Sequence, residues 1–538
     1  MTFDPLFIAM AGDEAEVTPE AGGSKAAQLW RMGRLGLPVP PAFVLPTALC
    51  AAVNSGEAGA LAALDRGLAA GIARLEAATG RSFGDARAPL LVSVRSGAAQ
   101  SMPGMLSTVL DVGLNAASLR GLIRLTGNPR LAWDSWRRFV QLYAEVVEGL
   151  PAAPFEARLA ELIRAEDVAA ESELDGEALE RLTHEFLALA ARQLGRPLPS
   201  DPRSQLAAAA RAVYRSWDGR RAQDYRRLNG LDGLAGTAVT VQAMVFGNAG
   251  GTSGAGVAFS RDPATGERRL YLDFLFDAQG EDVVAGRRPP GNGERLAARL
   301  PAVAAALAAG AERLERELGD LQDIEFTVEE GRLFFLQTRA AKRTPRATLR
   351  VLVDFVREGL LDPATALERA AAIDLDQVRL TRFAEPAPAV ATAVVAAPGV
   401  ASGRAAFDSL RAQAFAEAGE PAILVRHDTS TDDVAGFAAA DGILTAVGGR
   451  TAHAAVVARQ LGKVCLVGCA ALRLDPGGRS ATLGERTIAE GDWLSLDGAD
   501  GSVTLGRRAI VAEAPEAELA ELERWRRATA EPVALQGD

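Results

Sequence analysis

Of the three histidines in the chain, His453 sits where a nucleophile would be useful. GILTAVGG (442–449) reads as a strand running into a Gly-Gly turn, and RTAHAAVVARQLG (450–462) as a helix closed by Gly462. His453 then falls in the first helical turn, among free backbone N–H groups and at the positive end of the helix dipole. That setting disfavours imidazolium and favours an anion beside the ring. A neutral imidazole there can attack phosphorus, and the N–H groups can hold the resulting phosphate. A histidine that only caps or packs the helix start is the competing reading. No GxSxG elbow or Cys/His pair points to a serine or cysteine nucleophile instead.

A second group of residues suits polyphosphate. Of the 58 basic residues only three are lysines: Lys25, Lys342 and Lys463. In a chain this rich in Ala and Arg, a retained lysine is a candidate for work a guanidinium cannot copy, such as a compact charge against phosphate. Lys25 follows a Gly-Gly turn, and Arg95 ends the apolar strand LLVSVRSG. The loop SMPGM (101–105) can cradle phosphate with backbone N–H groups. In DIEF, alternation places Asp323 and Glu325 on one strand face; in FLQTR it does the same for Gln337 and Arg339. Paired as a hairpin, these strands bring together two carboxylates, an amide and a guanidinium. Mg²⁺ takes such oxygen ligands and shares them with nucleotide phosphates. A salt-bridged surface hairpin with no ligand is the alternative.

The elements that must position these groups follow from periodicity. GGSKAAQLWRMGRLG gives a turn and an amphipathic helix, and AFVL a strand. Residues 116–230 read as mostly helical, with His184 on a helix in a solvated or capping role. From 237 the period changes to strands: TAVTVQAMVFG, GAGVAFS and RLYLDFLFD. One helix, 294–319, precedes the hairpin, which turns at Glu330-Gly331. Residues 345–392 read as one helix and a loose Ala/Pro linker. A compact β/α unit fills 393–510, and 515–531 is a charged helix left open for docking. The fold class is α/β and α+β, in several domains.

Composition excludes several classes. Hydrophobic residues are 48% and charged residues 24%, which is globular rather than disordered. The net charge of −11, with no basic stripe, argues against nucleic acid. Cys50, Cys465 and Cys469 suit neither a disulfide framework nor a zinc site, and VCLVGC reads as a buried strand. No apolar run reaches the roughly 20 residues of a membrane span, and MTFDPLFIAM lacks the basic start of a signal peptide. A soluble, cytoplasmic protein is expected.

Taken in order, the segments from GGSKAAQLWRMGRLGLPVPPAF through PLLVSVRSGAAQSMPGMLSTVLDVGLN, NPRLAWDSWRRFVQLY, GTAVTVQAMVFGNAGGTSGAGVAFSRDPATGE, AQGEDVVAG and QDIEFTVEEGRLFFLQTRAAKRT to GILTAVGGRTAHAAVVARQLGK resemble the pyruvate, phosphate dikinase family. The resemblance covers about 20–510. It implies a bilobed ATP-grasp domain over 1–344 with a helical insertion at about 116–230. It further implies a helical linker at 345–392, a swivelling phosphohistidine domain at 393–510 and a helical tail at 511–538. ATP would bind between the two ATP-grasp lobes. Lys25 and Arg95 would meet its phosphates under the loop Met102–Thr108, centred on Gly104, and Gln242, Met244 and their neighbours would pass the adenine. Glu281 and Asp323 match active-site acids, Glu325 and Gln337 would hold Mg²⁺, and Arg339 would reach the phosphates. His453 would be the phosphorylated nucleophile, taking the β-phosphoryl group while inorganic phosphate takes the γ-group. Thr451 matches a threonine that regulatory kinases modify in some members.

Three substitutions depart from the family pattern: Ser107 for an acid, Asp273 for Glu, and Ala452 for Ser. The chain also stops about where the family's barrel would begin. The expectation is therefore a separate acceptor or barrel protein, with pyruvate or phosphoenolpyruvate as the acceptor pair. A homodimer is one admissible assembly. A nucleotide-binding regulatory paralogue and a phosphotransferase with a different small-molecule acceptor stay open. A rifampicin-type phosphotransferase fits less well, because only about 50 residues separate the two domains.

Overall fold

The structure is a computed structural model that describes residues 4–10, 15–100, 102, 106–168, 170–284, 291–374, 378–429, 433–449, 453–475 and 477–530. The chain divides into two compact units. The first comprises 1–253 and 327–338, the second 254–326 and 339–538.

The first unit is built on a five-stranded sheet of β1 (Leu6–Ile8), β2 (Ala42–Leu45), β3 (Val92–Ala98), β4 (Thr108–Val112) and β5 (Thr237–Ala243), ordered β1-β2-β5-β3-β4. Its central strands β3 and β5 are almost wholly buried, as strands covered on both faces must be. α1 (Pro19–Arg34) is capped by Thr18 and lies against β3. The stretch 116–230 is helical as expected. Its helix α2 (Pro129–Leu142) carries a buried carboxylate, Asp134, that accepts from Arg137, Arg138 and Asn248. Burial alone would raise the Asp134 carboxyl, but the two guanidiniums hold it well below the carboxylate range. In α3 (Gly176–Leu194), His184 lies 5.6 Å from the ring of Trp133 with its outer side in solvent, so it is a surface histidine against an aromatic pair.

A second five-stranded sheet comprises β6 (Gly254–Phe259), β7 (Tyr271–Phe276), β8 (Gly291–Asn292), β9 (Gln322–Glu329) and β10 (Arg332–Ala340), ordered β8-β7-β6-β9-β10; β6, β7, β8, the start of β9 and the end of β10 fall in the second unit. The hairpin turns at Glu330 and Gly331, both at positive φ (48° and 77°), as a tight two-residue turn requires. The single helix expected over 294–319 is two, Gly293–Arg299 and Pro301–Leu318, because Pro301 cannot donate into a continuing helix.

The connector holds more structure than its composition suggested. α4 (Pro345–Arg357) and α5 (Pro363–Ala370) are followed by β11 (Leu380–Phe383). Arg261, at the end of β6, is fully buried and donates to Glu315 and Glu358, which fastens the end of α4 to this lobe. Residues 391–505 then form an eight-stranded sheet. Its strands are β12 (Ala391–Thr392), β13 (Val394–Ala397), β14 (Val400–Ala406), β15 (Ala422–Arg426), β16 (Gly442–Thr445), β17 (Val464–Val467), β18 (Trp493–Asp497) and β19 (Ser502–Leu505), ordered β12-β19-β18-β14-β15-β16-β17-β13. α6 (His453–Gln460) crosses from β16 to β17, which pair in parallel. Cys465 and Cys469 are buried and free; Cys465 lies in β17 as read, whereas Cys469 falls past the strand end, after Gly468 at positive φ (63°).

The chain leaves this domain along β20 (Ile510–Glu513), antiparallel to β11, so entry and exit form one two-stranded ribbon. α7 (Glu516–Ala530) follows. It was expected to be open, but it is not. Leu522 and Trp525 are buried with Leu349, Leu352, Val353, Ala366 and Ala370 of α4 and α5, and Arg357 meets Glu521 at 3.1 Å. The charged face had concealed an apolar stripe at Leu519, Leu522 and Trp525. Among the described residues no helix is long and apolar enough to cross a membrane.

The packing of α7 is testable. Leu522→Ala should cost about 2–5 kcal/mol of local stability. Amide exchange throughout α7 should accelerate while the β2–β5 ladder stays protected. Unchanged exchange in α7 would contradict its assigned contact.

Candidate nucleotide and phosphohistidine site

In the first unit one close approach sets the geometry. Gly23 breaks α1 at φ 81° and ψ 158°. A Cβ there would lie 2.2 Å from the carbonyl oxygen of Gly97. Only a glycine on α1 lets the helix meet the end of β3 this closely. Lys25, half-buried, opens the regular part of α1 just past the break. Arg95, on β3, lies opposite Thr108 of β4 and Thr240 of β5. Gln242 lies opposite Ser93. Residues in register or two apart share a face, so Ser93, Arg95, Thr108, Thr240 and Gln242 form one polar surface on an otherwise apolar sheet. Arg95 Nη2 also donates to Gln337 Oε1 at 3.4 Å. The Gln242 amide donates to the Pro40 carbonyl at 3.1 Å, which fixes its orientation.

The remaining expectations in this unit divide. Met244 follows β5, with its N–H on the Leu91 carbonyl and its side chain against the apolar core. Met102 is buried in that core. Ser107 receives a hydrogen bond from Ser96 N and donates its own N–H to Ser216. Gly104 lies outside the described residues, as do Thr451 and Ala452. Glu281 falls within the short helix Gly280–Val284, and only its backbone is described.

The second unit collects the acids. Asp323, on β9, is buried and accepts from Arg339 Nε at 2.8 Å through Oδ2. Its Oδ1 is buried with no hydrogen-bond partner among the described residues. Burial pushes the Asp323 carboxyl above its ordinary value, and Arg339 pulls it back. Such an oxygen suits a cation or a donor from a ligand. Glu325 lies two residues on, where alternation puts it on the same face. Among the described residues no cluster of three or more His, Cys, Asp or Glu could hold a metal alone.

His453 is the first residue of α6, as the sequence pattern required; its backbone alone is described. The residue that sequence reasoning missed is Arg459, on the same helix. It is fully buried, donates to the Ala396 carbonyl at 2.9 Å, and lies over the Phe259 ring at 5.5 Å. Burial lowers its basicity, and the fields of Tyr271, Cys465, Asp323 and Asp273 oppose that. Asp273, a substitution relative to the family pattern, thus contributes to the field at Arg459. The available signal was a lone arginine in the small, apolar run AAVVAR.

The geometry stands beside clear likenesses to known proteins. Residues 60–304 match the family model for the AMP/ATP-binding domain of pyruvate phosphate dikinase, and 418–501 match the mobile domain of PEP-utilising enzymes. The pyruvate, phosphate dikinase of Clostridium symbiosum is 44% identical over 490 residues, which is 90% of this chain and 56% of that protein. Chloroplastic pyruvate, phosphate dikinase 1 of Arabidopsis thaliana is 42% identical over 507 residues, 94% of this chain and 52% of that protein. The chain spans about half the length of the curated relatives it matches.

Gly23→Ala tests the close approach. The substituted residue carries backbone strain of about 1–3 kcal/mol, and displacing Gly97 adds a cost of similar size. Gly36→Ala, also at positive φ (70°) but with open space around it, should incur the strain alone. Equal losses in unfolding free energy for the two variants would contradict the approach.

Proposed function

The chain belongs to the pyruvate, phosphate dikinase family of PEP-utilising enzymes, and from that premise we propose that it transfers the β-phosphoryl group of ATP to His453. Lys25 and Arg95 bind the nucleotide's phosphates, with Thr108 and the loop from Met102 through Gly104 beside them. Gln242 and Met244 flank the adenine. Glu325 and Gln337 hold Mg²⁺, which neutralises phosphate charge when bound. Asp323, Glu281 and Arg339 orient the phosphates, and Thr451 is a candidate modification site.

The chemistry balances as follows. An imidazole nitrogen of His453 attacks the β-phosphorus. The bond from that phosphorus to the α–β bridging oxygen breaks, and AMP leaves with the oxygen. Inorganic phosphate accepts the γ-group and departs as diphosphate, so the β-group stays on His453. Passage to pyruvate would give phosphoenolpyruvate. Positioning and charge neutralisation supply the catalysis. The helix dipole at the start of α6 favours a neutral, nucleophilic imidazole before transfer and an anionic phosphate after it.

The observation that supports this reading most is the seat of α6. Arg459 holds the helix that begins at His453 in the field of Asp323 and Asp273. A histidine that merely packed in its own domain would need no such seat.

Isotope position gives the test. With Mg²⁺ and inorganic phosphate, ATP labelled in the β-phosphate should leave an acid-labile, alkali-stable label on the chain. ATP labelled in the γ-phosphate should leave none, and AMP should appear in step. His453→Ala should abolish the β-label. Equal labelling of that variant, or ATP binding without AMP, would sink the proposal, the second outcome favouring a regulatory nucleotide binder.

A further inference from the structure

A cleft of about 970 Å³ opens in the second unit, at the ribbon that carries the chain into and out of the eight-stranded domain. Its wall takes in the start of α4, β11, β14, the end of α6 and the residues leading into β20. Five cations line it: Arg346, Arg379, Lys463, Arg507 and Arg508. Asp441 is the one carboxylate among the described lining residues, and it already accepts from Ala422 N.

Charge of this kind in a concave wall is costly to leave unanswered. Arg346, Arg379 and Lys463 have no ion-pair partner among the described residues. Arg507 and Arg508 rest on the rings of Trp493 and Phe383, which hold the guanidiniums in place without neutralising them. The C-terminus of α6 beside Lys463 contributes at most about half a negative charge. Five like charges around a low-dielectric concavity focus a positive potential. The chain as a whole is acidic at −11, so long polyanions are repelled by the rest of the surface. A compact, multiply charged anion is not. The volume lies within the range of small-ligand sites, about 300–1,000 Å³. Guanidinium forks and a point-charge ammonium together match phosphate oxygens.

We propose that this cleft is a second oligophosphate site, separate from the residues assigned to ATP above, taking free diphosphate or the phosphate tail of a nucleotide. It gives Lys463 a role that neither the nucleophile's helix nor the sheet motifs supplied.

The test is calorimetric titration of the full chain with inorganic diphosphate, run with adenylyl imidodiphosphate saturating the nucleotide site. Wild type should bind diphosphate under these conditions. The double variant Arg346→Gln/Lys463→Gln should bind about tenfold or more weakly, and exposed Arg379→Gln about threefold more weakly. Both should keep the wild-type unfolding midpoint, since none of the three side chains has an ion-pair partner among the described residues to lose. A parallel titration with ADP separates the sources. A matching loss in the double variant assigns the nucleotide's tail, and a loss for diphosphate alone assigns the free anion. Absence of diphosphate binding with the analogue present, together with equal ADP affinity in wild type and the double variant, would overturn the proposal. So would unchanged affinity in the double variant, or equally tight binding of citrate.

Discussion

A fully buried guanidinium must be answered by its surroundings, and Arg459 is answered by two domains at once. Its Nη1 reaches the Ala396 carbonyl within the eight-stranded domain. Its face lies on Phe259, and the fields of Tyr271 and Cys465, then of the carboxylates of Asp323 and Asp273, act on it. Removing either side would leave an ion in a low-dielectric site with half its solvation, a cost of several kcal/mol. The contact therefore fixes the helix that begins at His453. It also couples that helix to the strand whose acid keeps an unpartnered buried oxygen. A charged seat has a further property that an apolar one lacks. Under the proposed function, in which His453 must leave this seat, water would solvate the exposed guanidinium well, so the seated state would be held without being made permanent.

The movement that the proposed function demands of His453 depends on where the chain can turn. Arg261 locks α4 to the lobe, and α7 packs back on α4 and α5, so the connector is rigid over most of its length. The remaining link is the β11–β20 ribbon. A ribbon of two strands bends and twists more easily than a helical cluster shears. The basic cleft lies on that ribbon.

How much of this was readable in the sequence differs by kind of feature. Local pattern identified the strands from 237 onward, the hairpin with its turn at Glu330-Gly331, the helix start at His453 and the convergence of acids and a guanidinium on that hairpin. Each depends on residues close in the chain or on a two-residue period. The break at Gly23 was read as a turn; its cause, the approach of Gly97, lies over 70 residues away. The tail helix was misjudged because its partners, Leu349 to Ala370, come about 150 residues earlier, and a charged face hides the stripe that meets them. Arg459 was passed over for the same reason. Its partners at 259, 273 and 323 are set by tertiary contact, which no spacing rule encodes. The linker reading failed at α5 and β11 because Ala- and Pro-rich composition says little once a strand finds its partner at 510–513.

The account stands or falls on Arg459 as the seat of the nucleophile's helix. A double-mutant cycle of Arg459→Met and Asp323→Asn, followed by chemical unfolding of the second unit's sheets, measures the coupling directly. The account predicts that the two losses are non-additive by about 1 kcal/mol or more, since each variant removes the same interaction. Additivity within about 0.5 kcal/mol would mean that Arg459 and Asp323 do not sense each other, and would contradict it.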